Sequence, residues 1–299
     1  MKKQITVLDT DLGTDDACAL LLLKILPGQP DYIVASHGNT TLEYACKNAV
    51  LLKKYLGLKA KTVHGLPSPV KENTSEEPFH GKDGLGGYAD GIIKRLNITD
   101  SDFKELIPFD EFKTELRKAD SVTFITIGTL TNFSDILNDE VIKRKIKHVY
   151  VMGGGFREFN QPNNTEFNFS KDPKSVKKLL SSGLDITLFP LDVTNHCFLT
   201  CEQIKNLEKT GAYPDFIDFI KFNLQSNYKF NGTDGAVLHD TLPVMYHSFP
   251  ELFEIKNMHV ESDEYGSTVI SENGNEIKVC TGTKNGILYE MMKKVFENG

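Results

Sequence analysis

The stretch VLDTDLGTDDACALLLL sets four carboxylates, Asp9, Asp11, Asp15 and Asp16, within eight residues, between one short apolar run and another. Like charges at that density repel one another unless something positive lies between them. Hard divalent cations take such oxygen ligands, calcium about 6–8 of them and magnesium a tighter octahedron. A second reading competes. Asp15 and Asp16 fit the first turn of a helix, where free N–H groups and the helix dipole favour negative charge. Capping leaves Asp9 and Asp11 unexplained, because they alternate along the end of a strand.

The other residues suited to chemistry lie far along the chain. His239 and Asp240 are adjacent, ahead of an apolar helical run. Histidine titrates near neutrality, so this pair is the leading acid–base candidate. His80, in the glycine-rich FHGKDGLGG, is the second, on a loop able to close over a site. Segment 153–170, GGGFREFNQPNNTEFNFS, offers Asn160, Asn163, Asn164, Glu166 and Asn168. Neutral amides with one carboxylate suit a ligand with several hydroxyls, such as a sugar, although Asx turns in a surface loop have the same composition. Asn39, in ASHGNTTLE, fits either a ligand contact or a helix cap. No G-x-S-x-G occurs, no G-x-G-x-x-G follows the first strand, and GKDGLGG lacks the GK[ST] ending of a phosphate loop. Glycosidase chemistry remains open, through two flanking carboxyls or through a metal-held water.

These residues need a scaffold, and the apolar rhythm supplies one. Strand-like runs fall at 5–8, 32–36, 62–64, 122–127, 148–152 and 186–190, separated by helical or loop sequence. That pattern predicts βαβ units and a mostly parallel sheet. Helices are expected at 42–56, 110–118, 132–138 and 173–182, the last with Asp172 as N-cap and Pro173 in the first helical position. Beyond Thr200 helices are expected at 202–210 and 216–226, then short strands near Val260, 268–271 and 277–280, and a closing helix at 284–297. In open α/β sheets ligands bind where loops leave the carboxyl ends of the strands. Two long polar loops, 67–88 and 153–170, follow strands and should hang over that edge.

Composition narrows the partners. A chain of 299 residues with 39% hydrophobic and 25% charged residues is ordinary for a globular protein, large enough for one big α/β domain or two smaller ones, and nothing marks a linker. A net charge of −7 and a pI near 5.7 argue against a nucleic-acid partner, which would need a basic patch. The five cysteines are odd in number and scattered among apolar neighbours, as reduced thiols of a cytoplasmic protein would be. No stretch has the apolar length of a signal peptide or of a membrane span, so no membrane partner is expected.

Taken in order, these segments resemble the inosine-uridine family of nucleoside hydrolases. DTDLGTDD is similar to the family's D-x-D-x-G-x-D-D signature, SHGNTTLE to its second-strand G-N motif, and FITIGTLTN to its T-G-x-L-T-N segment. VMGGGF with TEFNFSKDP resembles its central sugar-binding loop, and LHD its late acid and ligand pair. With FPLDVT the resemblance runs from residue 5 to about residue 245, and order and spacing agree as well as content.

The resemblance implies one α/β catalytic domain over residues 1–299, a mostly parallel central sheet flanked by helices. It further implies hydrolysis of the N-glycosidic bond of ribonucleosides, giving ribose and free base, by a calcium-held water. Carried over residue by residue, it assigns Ca2+ to Asp11, Asp16, Asp240 and the backbone carbonyl of Ile127, which stands where the family usually has Thr. Asp11 is then also the base for the water. Asp15, Asn39, Asn160, Glu166 and Asn168 grip the ribose hydroxyls, Met152 packs below the ring, and Asp9 supports the site from behind. His239 protonates the leaving base, His80 is a further base-side histidine, and Tyr228 with Phe230 and residues 231–235 shapes the base pocket.

The family's purine-selective branch sandwiches the base between tryptophans, and this chain has no Trp. A pyrimidine or broad base preference is therefore expected. Family members are homodimers or homotetramers, which makes a homo-oligomer the expectation here. The sequence departs from the family pattern at Leu12, where Pro is common, at Asn164 and Thr165, where small residues precede Glu166, and at Thr241, where Pro is frequent. Two rival readings are a hydrolase of another ribosyl compound and a calcium-dependent sugar-binding protein without turnover. The presence of both Asp11 and His239 favours the enzyme.

Overall fold

In the computed structural model, which describes residues 3–69 and 79–299, the first strand is buried on both faces. Val7 belongs to the apolar cluster on one side of the sheet and Leu8 to the cluster on the other. A strand covered on both faces reads as a continuous apolar run, which is why no alternation shows in the sequence there.

The strands are β1 (Gln4–Thr10), β2 (Tyr32–Ala35), β3 (Lys61–His64), β4 (Ile107–Pro108), β5 (Ser121–Thr126), β6 (Ile146–Met152), β7 (Ile186–Phe189), β8 (Phe198–Leu199), β9 (Ala236–Val237), β10 (Phe253–Ser262), β11 (Thr268–Ile270) and β12 (Asn275–Thr283). Ten of them form one sheet in the order β11-β10-β12-β7-β6-β5-β1-β2-β3-β4. Pairing is parallel from β12 to β4, and β10 and β11 add an antiparallel edge. With helices flanking the sheet, this is the mostly parallel α/β architecture expected from the sequence.

The chain leaves β1 toward β2, β3 and β4, then returns to add β5, β6 and β7 on the other side. Such a reversal opens a crevice at the carboxyl ends of the two strands concerned. Here those strands are β1 and β5, with Asp9 opposite Thr126 and the Ile127 N–H donating to the Asp9 carbonyl at 2.8 Å.

All nine residues of the helix Thr14–Leu22 are buried, its aspartates included. It lies under the helices Pro214–Asn231 and Thr241–Ser248. The helix Leu42–Leu56 has the bounds expected from its period; Thr41 caps it, accepting from the Tyr44 N–H, and Gly57 ends it in the left-handed region at φ 65°. Asn39 is therefore not the cap of this helix.

Other expectations need correction. Segment 153–170 is not one structureless loop. It holds a 3-10 turn at Pro162–Asn164 and a short helix, Phe167–Lys171, capped by Glu166. Five residues held by a cap leave no apolar period to read. Of the loop expected at 67–88, residues 70–78 lie outside the described residues. The helix expected at 216–226 runs instead Pro214–Asn231, from a proline in its first turn to Gly232 at φ 66°. The strand expected near Val260 spans Phe253–Ser262, and the closing helix begins only at Ile287.

Asp172 caps the helix Pro173–Leu180 as expected, and it does more than cap. It accepts from the Ser175 N–H at 3.2 Å, from Ser175 Oγ at 2.6 Å and from Thr131 Oγ1 at 2.7 Å, which ties two helices together. Asp172→Ala is expected to lower unfolding free energy by about 1–2 kcal/mol, the upper range for a lost cap. The readout is a lower urea midpoint at constant m-value, and an unchanged midpoint would remove Asp172 from this role.

Candidate active site

The carboxylates at the end of β1 are held in place by the loop after β2. Asp11 Oδ2 accepts from the Asn39 N–H at 2.8 Å, and Asp11 Oδ1 accepts from Asn39 Nδ2 at 3.0 Å. The same Nδ2 reaches Asp16 Oδ2 at 3.0 Å, so one amide spaces two carboxylates. The approach is close enough to exclude side chains nearby. A Cβ on Gly38 would sit 1.9 Å from Asp11 Oδ2, and one on Gly128 would sit 2.8 Å from the Asp11 nitrogen. The glycines of the SHGN and TIGT segments are thus required by packing against Asp11.

Asp16 accepts from Thr10 Oγ1 at 2.5 Å and from the Gly13 N–H at 2.7 Å, the capping half of its position in the first turn. Asp15 is different. Its Oδ1 is buried without a hydrogen-bond partner. Asp240, at the start of the helix Thr241–Ser248, completes the group, and one oxygen from each of Asp15, Asp16 and Asp240 lies within 4.8 Å of the others. Carboxyl groups buried this close together keep their places only with a proton or a cation among them.

That crowding sets the electrostatics. Burial, and then the charge of Asp16, pushes Asp15 up to about 7. Burial and the neighbouring aspartates raise Asp11 and Asp240 well above the ordinary carboxylate range, and burial also raises Asp16. Hard oxygen donors, an orphaned buried oxygen and mutual repulsion together fit a divalent cation. Asp9 takes no part in this cluster. It accepts from Asn132 Nδ2 at 3.2 Å, and burial holds its carboxyl near 7. Asn132 also donates to the Ala35 carbonyl at 3.2 Å and accepts from the Leu66 N–H at 2.7 Å, joining the ends of β1, β2 and β3.

On the other side of the crevice, Asn168 Nδ2 donates to the Ile127 carbonyl at 3.1 Å and lies 3.5 Å from Met152 Sδ. The Ile127 oxygen keeps a second lone pair. Glu166 accepts from the Asn168 N–H at 2.9 Å, the Phe169 N–H at 3.1 Å and the Gly154 N–H at 3.2 Å, and burial raises its carboxyl to about 7. Asn160 and Tyr228 stand apart from this buried set. Asn160 is exposed, and Tyr228 is 69% exposed on the helix Pro214–Asn231.

The two histidines are both kept neutral. Burial lowers His80 to about 3, with a contribution from His239, and burial lowers His239 to about 4. The Thr14 N–H donates to His80 Nδ1 at 3.1 Å, so that nitrogen is the acceptor and the ring proton sits on Nε2. Thr14 Oγ1 lies 2.8 Å from the same nitrogen, and behind it runs an amide ladder. Asn223 Nδ2 lies 3.5 Å from Thr14 Oγ1, Asn227 Nδ2 2.7 Å from Asn223 Oδ1, and Asn231 Nδ2 3.3 Å from Asn227 Oδ1. His239 Nδ1 lies 2.8 Å from Thr194 Oγ1.

Several of these residues escaped sequence reasoning. Thr10, Thr14, Thr194 and Asn132 orient site residues through hydrogen bonds to other segments, and no composition or period marks such a role; the four-residue spacing of Asn223, Asn227 and Asn231 is the one signal the sequence offers. The departure at Leu12 has a structural consequence. Its φ is 52°, whereas proline's ring fixes φ near −65°, so the turn into the helix takes a shape that the usual proline forbids. For a bulky buried residue that shape costs about 1–2 kcal/mol.

Comparison with known proteins places these observations. Residues 6–290 match the family model described as inosine-uridine preferring nucleoside hydrolase. The chain is 28% identical over 286 residues to the pyrimidine-specific ribonucleoside hydrolase RihB of Escherichia coli, covering 92% of this chain and 89% of that protein. A plant nucleoside hydrolase superposes with a TM-score of 0.84 at 19% identity, covering 100% of each chain. A purine-preferring ribonucleoside hydrolase from Gardnerella vaginalis superposes with a TM-score of 0.80 at 22% identity, covering 99% of this chain and 100% of that one.

Carboxyls that burial and mutual charge hold above their ordinary range must lose protons to ligate a cation. Titrating the metal-free protein with calcium chloride near pH 7 is expected to release about one proton per ion. Calorimetry in buffers of different ionisation enthalpy reads this directly, and a buffer-independent heat would contradict it.

Proposed function

We propose, for a chain that belongs to the inosine-uridine preferring nucleoside hydrolase family, that the buried carboxylate cluster binds calcium and that pyrimidine or a broad range of bases is accepted. Enzymes of this family cleave the N-glycosidic bond of ribonucleosides, and this chain is one of them. The finer reading is supported by one observation: oxygens of Asp15, Asp16 and Asp240 converge within 4.8 Å while the buried Asp15 Oδ1 has no hydrogen-bond partner, His80 Nδ1 being 3.7 Å away.

Asp16 and Asp240 of that trio, with Asp11, which shares the Asn39 amide with Asp16, and the Ile127 carbonyl would hold the ion, leaving Asp15 for the sugar. An all-oxygen set of this kind suits calcium better than a softer metal. Bound there, calcium would orient a water beside the ribose hydroxyls and favour its ionisation. Asp11 takes the proton from the attacking water. Asp15, Asn39, Asn160, Glu166 and Asn168 bind the ribose hydroxyls, with Met152 below the ring. As the C–N bond lengthens, positive charge grows on the sugar and the surrounding carboxylates stabilise it.

The base leaves with negative charge, and the histidines face it. Burial keeps His80 and His239 neutral at rest, and a neutral ring steadies the leaving base by donating an N–H hydrogen bond; His239 supplies the proton in its imidazolium form, which the negative charge growing on the base favours as the bond breaks. Tyr228 borders the base from the outside. The absence of tryptophan removes the sandwich device for purines, and RihB, named for pyrimidine specificity, supports the stated preference. The same reading includes one catalytic domain over 1–299, a homodimer or homotetramer, and a cytoplasmic location. Among the described residues no helix is long and apolar enough to cross a membrane.

Incubation with uridine, cytidine, inosine and adenosine in the presence of calcium should release reducing sugar from at least one. Silence on all four would sink the reading in favour of another ribosyl substrate or of binding without turnover. Asp11→Asn is expected to keep ribose binding in part and to lose turnover by several orders of magnitude. His239→Ala should slow uridine cleavage by about 10²–10⁴-fold. A riboside whose leaving group departs without a proton should suffer much less, and equal losses on both would remove His239 from the leaving-group role.

A further inference from the structure

We infer that Thr268, on the β10–β11 hairpin, is a positioning residue for the sugar side of the site, holding the triple-glycine turn at 153–155 in register with Glu166. The inference rests on the sugar-binding role proposed for that segment. Thr268 is buried, and its hydroxyl serves a single residue twice. Thr268 Oγ1 donates to the Gly155 carbonyl at 2.6 Å and accepts from the Gly155 N–H at 3.0 Å, across 113 residues of chain.

The turn it holds is where the sugar side is assembled. It comes directly after Met152, and its Gly154 N–H donates to Glu166 Oε2 at 3.2 Å. Gly154 has φ 70°, and a Cβ there would lie 3.0 Å from Thr268 Cγ2 and 3.2 Å from Phe169 Cε2. The turn therefore passes between Thr268 and Phe169 with no room for a side chain. The hairpin also meets the far end of the same segment. A Cβ on Gly266 would lie 2.6 Å from the Phe169 carbonyl oxygen, against the helix that carries Asn168.

The hairpin can act as a brace because its own turn is fixed. Asp263 Oδ1 accepts from the Tyr265 and Ser267 N–H groups, each at 2.9 Å, and the Asp263 N–H donates to the Ser267 carbonyl at 3.1 Å. On its opposite flank the segment is held by Asp192, which accepts from the Phe156 N–H at 2.7 Å and the Arg157 N–H at 2.9 Å. Asp192 fixes the two residues after the glycines, and Thr268 fixes the glycines themselves. Thr268→Val keeps the shape and removes both hydrogen bonds, leaving a buried N–H and carbonyl without partners.

The test compares wild type with Thr268→Val and Thr268→Ser, each loaded with calcium. For Thr268→Val we expect KM for the best nucleoside to rise about tenfold with kcat nearly unchanged, the signature of lost ground-state binding. Hydrogen exchange at residues 153–158 should quicken while that of the helix Thr14–Leu22 stays the same. Thr268→Ser, which keeps the hydroxyl, should restore both. Unchanged exchange at 153–158 would overturn the proposal, as would a serine variant as impaired as the valine one. Since exchange is read without turnover, a wild type inactive on every nucleoside would sink the substrate reading alone.

Discussion

Repulsion among buried carboxylates is the constraint on which the rest of this structure depends. Asp11, Asp15, Asp16 and Asp240 are brought together in a region where burial alone raises their proton affinity. The chain meets that cost with fixed donors: the Asn39 amide, the Thr10 hydroxyl and the Gly13 N–H. These donors reach Asp11 and Asp16, and they stop short of one oxygen of Asp15. The incomplete compensation leaves the cluster with negative charge that a positive group would satisfy.

The geometry of the sheet explains why the compensation can be so local. β1 lies between β2 and β5, so the loops after all three strands open at one edge. Asn39 comes from one side of Asp11 and Ile127 from the other, each within a few residues of a strand end. Glycines at 38 and 128 let the backbones approach the carboxylate directly. Rigid strands and bare backbone set these positions, which is a more exact arrangement than long side chains on mobile loops would give.

How much of this was legible in the sequence divides along physical lines. Strands buried on both faces and long amphipathic helices such as Leu42–Leu56 declare themselves by apolar pattern. A cation site and a sugar-suited segment could be suspected from carboxylate density and amide content, but the role of each residue came only through resemblance to a family, because no period encodes a carboxylate's job. The helix Phe167–Lys171 was missed since its capping carboxylate, Glu166, sits in a polar stretch that reads as loop. The left-handed backbone at Leu12 was invisible because nothing in leucine asks for it. Pairings such as Thr14 with His80, Thr194 with His239 and Thr268 with Gly155 join segments far apart in the chain, and a local reading has no access to them.

The helix Thr14–Leu22 has a further consequence, for the making of the protein. Its nine residues are all buried, and part of their cover comes from the helices Pro214–Asn231 and Thr241–Ser248. At translation rates of about 5–20 residues per second, the ribosome needs roughly 10–40 s after making the first helix to deliver that cover. During that interval an apolar segment carrying two aspartates waits without its partners. The carboxylate cluster is thus one of the last features a nascent chain can complete, and its early half is a natural client for chaperones.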